Sequence, residues 1–146
     1  MTAQNNKLNI FLADIAALNI KIHNLHWNVI GREFKSVHKM TEKMYEMLQD
    51  QFDETAEIMK MNNEFPLATL GDYLEATNIE EIESRPYPVD EVLDILNKDC
   101  RLLIQSAKEA HKEAEENKNF LASNLLEDYL AKYAKKAWML KAMIED

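Results

Sequence analysis

PLATLGDYLEATNIEEIESRPYP, residues Pro66–Pro88, decides the fold. It is bracketed by prolines, which end helices and push the preceding residue towards extended backbone. It is too long for a tight hairpin between two helices, and its middle, TLGDYLEAT, has room for one short helix with Thr69 and Asp72 as a capping pair. Such a segment is a crossover connection. Outward from it, towards the N-terminus, a helix from about Ser36 to Met61 places Met40, Met44, Met47, Leu48, Phe52 and Ala56 at helical spacing. Before that, from about Asn6 to Val29, the apolar stripe runs Leu8, Phe11, Leu12, Ile15, Leu18, Ile22, Leu25 and Val29, and Gly31 is the break between the two helices. Towards the C-terminus, a helix beginning near Val89 puts Val92, Leu96, Cys100, Leu103 and Ala107 on one face. ENKN, from Glu116 to Asn119, is a turn, and the last helix carries Leu125, Leu126, Tyr129, Tyr133, Ala137, Leu140 and Ile144, with Trp138 also read as core.

Four long helices with one long link between the second and third make a ferritin-like topology. The expected fold is all-α: a ferritin-like four-helix bundle with a short extra helix in the connection between helices 2 and 3, in one domain over residues 1–146. Composition agrees. Only two glycines and three prolines in 146 residues leave few places to turn, and a chain of this length buries about two thirds of its unfolded surface, enough for its own core. The single cysteine, Cys100, forms no internal disulfide, and MTAQNNKLNI lacks the basic start and apolar run of a secretory signal, so a cytoplasmic location is expected. No apolar run approaches the roughly 20 residues of a bilayer span. The net charge of -9 repels phosphate backbones and attracts cations, which argues against DNA as the main partner.

The candidate chemistry lies in HNLHWNVIGREFKSVHKMTEKMYEMLQDQFDETAE. Its His26, His38, Asp53 and Glu57 offer imidazole and carboxylate together, donors that hold divalent iron without trapping it in one oxidation state. Asp53 and Glu57 are an i,i+4 pair on one helix face, whereas His26 and His38 lie on either side of Gly31, so no single helix presents the set. Plainer readings exist: His26 and His38 as helix histidines bonded to carbonyls, and Asp50, Asp53, Glu54 and Glu57 as one solvated acidic stripe. Methionines at core spacing read as packing rather than as copper ligands, and His111 in KEAHKEAE reads as a solvated residue of a charged helix end. Iron sites inside a single ferritin-like bundle use Glu-x-x-His pairs. The residues three before His23, His26, His38 and His111 are Ile20, His23, Lys35 and Lys108, so that internal site is missing.

HNLHWNVIGREFKSVH followed by DETAE, with AWMLKAMI near the end, resembles the signature of the Dps family, the miniferritins named as DNA-binding proteins from starved cells, and the similarity covers nearly the whole chain. The resemblance implies a ferroxidase centre between subunits, with His26 and His38 from one chain and Asp53 and Glu57 from a symmetry-related one, and twelve chains closing into a hollow shell. It implies iron as the metal, hydrogen peroxide or oxygen as oxidant, and storage of the ferric mineral. Trp27 is read as an interface aromatic and, beside a ligand, as an electron donor to a reactive intermediate. Asp50 and Glu54 are read as acids backing the ligands or lining the cavity, and His23 as a structural or supporting residue. The alternative functions are a nucleoid-protecting DNA-binding protein and a helical scaffold without metal chemistry. Three features depart from the family pattern. The segment before the first helix holds only Lys7 as a cation, Asn117, Asn119, Phe120 and Asn124 stand where acidic pore residues are common, and Ile58 follows Glu57 where an arginine is common.

Overall fold

Asn6 starts the first helix: its side chain accepts from the backbone N–H groups of Leu8 and Asn9, satisfying donors that have no partner within the helix. The computed structural model describes residues 6–145; most of the lysine-poor leading segment lies outside the described residues. Helix α1 spans Lys7–Asn28, α2 Phe34–Met61, α3 Leu70–Ala76, α4 Val89–Glu116 and α5 Phe120–Ile144. α1 packs on α2 and α4 on α5, the two pairs joining mainly where α1 meets α4, with a smaller contact of α2 with α5. This is the expected all-α bundle, with the short α3 in the crossover and packed against α1. Thr69 caps α3, accepting from the Asp72 amide at 3.1 Å.

The apolar stripe of α1 is buried throughout, with Phe11, Leu12, Ile15, Ile22 and Leu25 fully enclosed, each such side chain contributing about 1.5–3 kcal/mol. Met44 is buried, and Met40 and Met47 pack partly buried against the core. Cys100 is buried, and burial pushes its thiol up to about 11. Two expected core residues of α5 differ. Trp138 is 66% exposed and Ile144 is 37% exposed. Trp138 lies five residues beyond the buried Tyr133, about 140° further round the helix, and Ile144 is the last residue of α5, where little remains to cover it.

Two features were invisible in the periodicity. Val29–Ile30 (β1) pairs in parallel with Tyr87–Pro88 (β2), tying the exit of α1 to the entry of α4 and burying Tyr87, whose hydroxyl donates to the Glu83 carbonyl at 2.7 Å. Lys21 and Asp99 form a buried ion pair, 2.7 Å apart, across the α1–α4 contact. Burial pushes the Asp99 carboxyl above its ordinary range even though the Lys21 ammonium pulls it down, so the pair sits close to the limit of what its Coulomb attraction can support. Lys21→Met is expected to cost about 3–5 kcal/mol in denaturant unfolding, because it strands a buried carboxylate. A loss below 1 kcal/mol would show that water reaches Asp99.

Candidate metal centre

The joint between α1 and α2 places the histidines. His26 lies in the last turn of α1, β1 and a turn follow, and His38 lies one turn into α2. Gly31 makes the turn at φ +129, a region L side chains rarely adopt, and a methyl group there would lie 3.3 Å from Cγ2 of Val89. Phe34 N–H then donates to the Gly31 carbonyl, and the Ser36 hydroxyl to the Glu33 carbonyl.

The result is a reciprocal pair. Nδ1 of His26 lies 2.7 Å from the His38 carbonyl oxygen, and Nδ1 of His38 lies 2.8 Å from the His26 carbonyl oxygen. A carbonyl only accepts, so both Nδ1 atoms carry the hydrogen, and in the neutral rings the lone pair is left on Nε2. The imidazoles stack, centroids 3.7 Å apart and 12° from parallel. Thr41 supports the pair: its hydroxyl donates towards the Val37 and His38 carbonyls and lies 3.0 Å from His26 Nδ1. Burial is the largest effect lowering the His26 pKa, which favours the neutral, ligand-competent ring.

Aromatic neighbours hold this corner rigid. His23 stacks on Tyr45 at 3.8 Å, and Tyr45 meets His26 edge-on at 5.2 Å. The Nδ1 of His23 donates to the Asn19 carbonyl at 2.8 Å, while Asn19 donates to the Tyr45 carbonyl. His23 is therefore engaged in packing, the structural alternative of its two readings. Trp27 projects outward, 68% exposed, with its ring 5.5 Å from that of His23.

Asp53 and Glu57 are exposed on the far half of α2. Fifteen residues of straight helix separate His38 from Asp53, about 22 Å at 1.5 Å per residue, so one chain does not gather the four. Their neighbours in the acidic stripe differ from one another. Glu54 accepts from the Tyr129 hydroxyl at 2.6 Å and is thereby tied to the core, while Asp50 remains exposed. Ile58, where an arginine is common, packs partly buried against the core. Asn119 is the N-cap of α5, accepting from the Ala122 amide and from Asn62 Nδ2, whereas Asn117, Phe120 and Asn124 are exposed.

Among the described residues, the set of histidine and acid donors that does converge within one chain is His111, Glu115 and Glu127. The solvated reading of His111 is corrected: its side chain is 27% exposed and lies 2.8 Å from Glu127 Oε2 and 3.4 Å from Glu115 Oε1. The His111–Glu115 spacing of i,i+4 was in the sequence, but the partner from α5 was not.

A bundle with one long crossover and inward-facing apolar stripes is the architecture of the ferritin-like proteins, and the ferritin-like domain model matches residues 5–146. The chain is 35% identical over 130 residues to the DNA protection during starvation protein of Helicobacter pylori, covering 89% of this chain and 90% of that one. The structure of a Dps protein from Bacillus brevis superposes with TM-score 0.91 at 30% identity, covering 95% of this chain and 93% of that one. That of a Dps protein from Vibrio cholerae O1, described as a member of a broad superfamily of ferritin-like diiron-carboxylate proteins, superposes with TM-score 0.91 at 27% identity over 97% and 89%. This chain belongs to the Dps family of ferritin-like proteins, a family of iron storage and protection. No helix among the described residues is long and apolar enough to cross a membrane.

Proposed function

We propose that this chain is a ferroxidase that oxidises ferrous iron at centres shared between two copies and stores the ferric product inside a shell of twelve, in the cytoplasm. The observation that carries the reading is the reciprocal His26–His38 pair. It spends both Nδ1–H groups on backbone carbonyls and leaves the lone pair of each Nε2 free, while among the described residues no carboxylate of the same chain converges with the two rings to complete a ligand set. Asp53 and Glu57 of a second copy supply it. Orienting Nδ1 bonds of this kind fix the tautomer and make the ring a better donor.

Two ferrous ions give one electron each to hydrogen peroxide, which takes up two protons and leaves as two water molecules. Held together, the irons deliver both electrons to one oxidant, so that no hydroxyl radical escapes. The carboxylates favour the ferric product, and the neutral imidazoles keep the centre from accumulating excess negative charge. Trp27, exposed beside His26, lies at the interface and is placed to donate an electron to a stray oxidant. Stopped-flow absorbance after mixing ferrous iron with peroxide, and separately with oxygen, tests the reading. Peroxide should be consumed faster, at one peroxide per two irons, and oxidation no faster than in buffer alone would refute it.

Direct DNA packing is the weaker reading. Phosphate contacts by Lys and Arg drive such binding, and it falls steeply with salt; a net charge of -9 opposes it. In about 150 mM salt with chelator present, where electrostatic attraction is screened beyond about 8 Å, no gel retardation of duplex DNA is expected at micromolar protein. Retardation under those conditions would revive the nucleoid role.

A further inference from the structure

The end of α4 and the start of α5 carry a second constellation, unrelated to the histidines at the α1–α2 joint. His111 Nε2 lies 2.8 Å from Glu127 Oε2 and 3.4 Å from Glu115 Oε1. Ser123, itself 3% exposed, directs its hydroxyl among them: 2.5 Å from Glu115 Oε1, 3.3 Å from Glu127 Oε2 and 3.4 Å from His111 Nε2. The three ligand atoms of His111, Glu115 and Glu127 all lie within 4.8 Å of one another. Around a tetrahedral zinc with bonds of about 2.0–2.1 Å, neighbouring donors are about 3.3 Å apart. The two His–Glu separations bracket that spacing, so a cation would need little rearrangement to be accommodated.

We infer that His111, Glu115 and Glu127 form an additional divalent-cation site at the α4–α5 turn, taking a borderline ion such as zinc or ferrous iron through one imidazole nitrogen and two carboxylate oxygens. The donor set decides the class of ion. An imidazole with two carboxylates suits zinc and ferrous iron, whereas a calcium or magnesium site would be built of oxygens alone. The backbone holds the two helices in place: Asn119 caps α5 and is bonded across to Asn62 at the end of α2, and the Asn119 amide donates to the Ala114 carbonyl at 2.8 Å. In the free state one N–H and one O–H bridge the acids. His111 Nε2–H donates to Glu127, whose pKa is lowered chiefly by that bond, and Ser123 donates to Glu115. On binding, the cation takes the Nε2 lone pair, the proton that Nε2 carried is replaced by one on Nδ1 exchanged through solvent so that the imidazole stays neutral, and the two carboxylates neutralise the ion. Ser123 remains as a hydroxyl donor orienting Glu115, so its role is positioning.

The test uses zinc alone on the assembled full-length protein. Crystals soaked in zinc and measured at the zinc edge should show an anomalous peak bonded to His111, Glu115 and Glu127 at about 2.0–2.2 Å. In calorimetric titration, His111→Ala should lose one zinc per chain while retaining any zinc bound at His26 and His38. Glu127→Gln, nearly isosteric and still able to accept from His111, should weaken that same event by about tenfold or more. The inference is overturned if wild type shows no zinc event at this site tighter than about 1 mM, or if His111→Ala and Glu127→Gln leave stoichiometry and affinity unchanged. It would then be a hydrogen-bonded helix joint and nothing more. These outcomes do not depend on whether the inter-subunit centre is correct, because its ligands are untouched by either variant.

Discussion

Asp53→Ala combined with Glu57→Ala is expected to slow peroxide-driven iron oxidation by at least about 100-fold, the larger end of what disturbing a metal's surroundings costs even when the direct ligands survive. The helical fold should persist. Both side chains are exposed, neither makes a hydrogen bond or ion pair among the described residues, and the buried face of α2 is carried by Val37, Thr41, Met44, Leu48, Gln51, Thr55 and Met59. Removing two like charges from an acidic stripe also relieves repulsion. Stopped-flow absorbance gives the rate and circular dichroism the fold. A double variant that folds and oxidises iron at the wild-type rate would remove the carboxylates from the centre.

The second large effect is assembly. If the histidines of one copy are completed by the carboxylates of another, the active species is a closed particle. Twelve copies of a 17.0 kDa chain give a mass of about 204 kDa. The surface offers apolar side chains for burial between copies: Ile20, Trp27, Ile30, Phe65, Leu70, Leu74, Phe120 and Trp138 are each more than half exposed in the isolated chain. Light scattering at micromolar concentration and neutral pH should report the particle. A mass of one chain, with iron oxidation intact, would contradict the shared centre.

The fold was legible because few residues punctuate the chain. Gly31, Pro66, Pro88 and the turn at Glu116–Asn119 divide the chain, the helices expected at about Asn6–Val29 and Ser36–Met61 and from Val89 lie within a residue or two of those observed, and the apolar stripes of α1 and α4 are buried as the 3.6-residue period requires. What stayed hidden was long-range. Lys21 and Asp99 look like ordinary charges until α1 is laid on α4, and nothing in Val29–Ile30 or Tyr87–Pro88 announces a two-residue parallel pair. Trp138, read as core, is exposed because its angular position on α5 points it away from the bundle.

The candidate site divides in the same way. Residue types and spacing marked out His26, His38, Asp53 and Glu57, and helix geometry alone shows that α2 keeps His38 and the carboxylates apart. The mutual Nδ1-to-carbonyl bonds were not legible, since they depend on how the Gly31 turn folds α2 back along α1. His111 departs from its solvated reading for a related reason: Ser123 and Glu127, which partner it, arrive from the next helix.

The shared centre is tested most directly by a crystal of the assembled protein soaked anaerobically in ferrous iron and measured at the iron edge. Anomalous density within bonding distance of His26 and His38 of one chain and of Asp53 and Glu57 of a symmetry-related chain is the expected result. Iron absent from the histidine pair at full soaking, or bound there with no carboxylate from a second chain within reach, would contradict it.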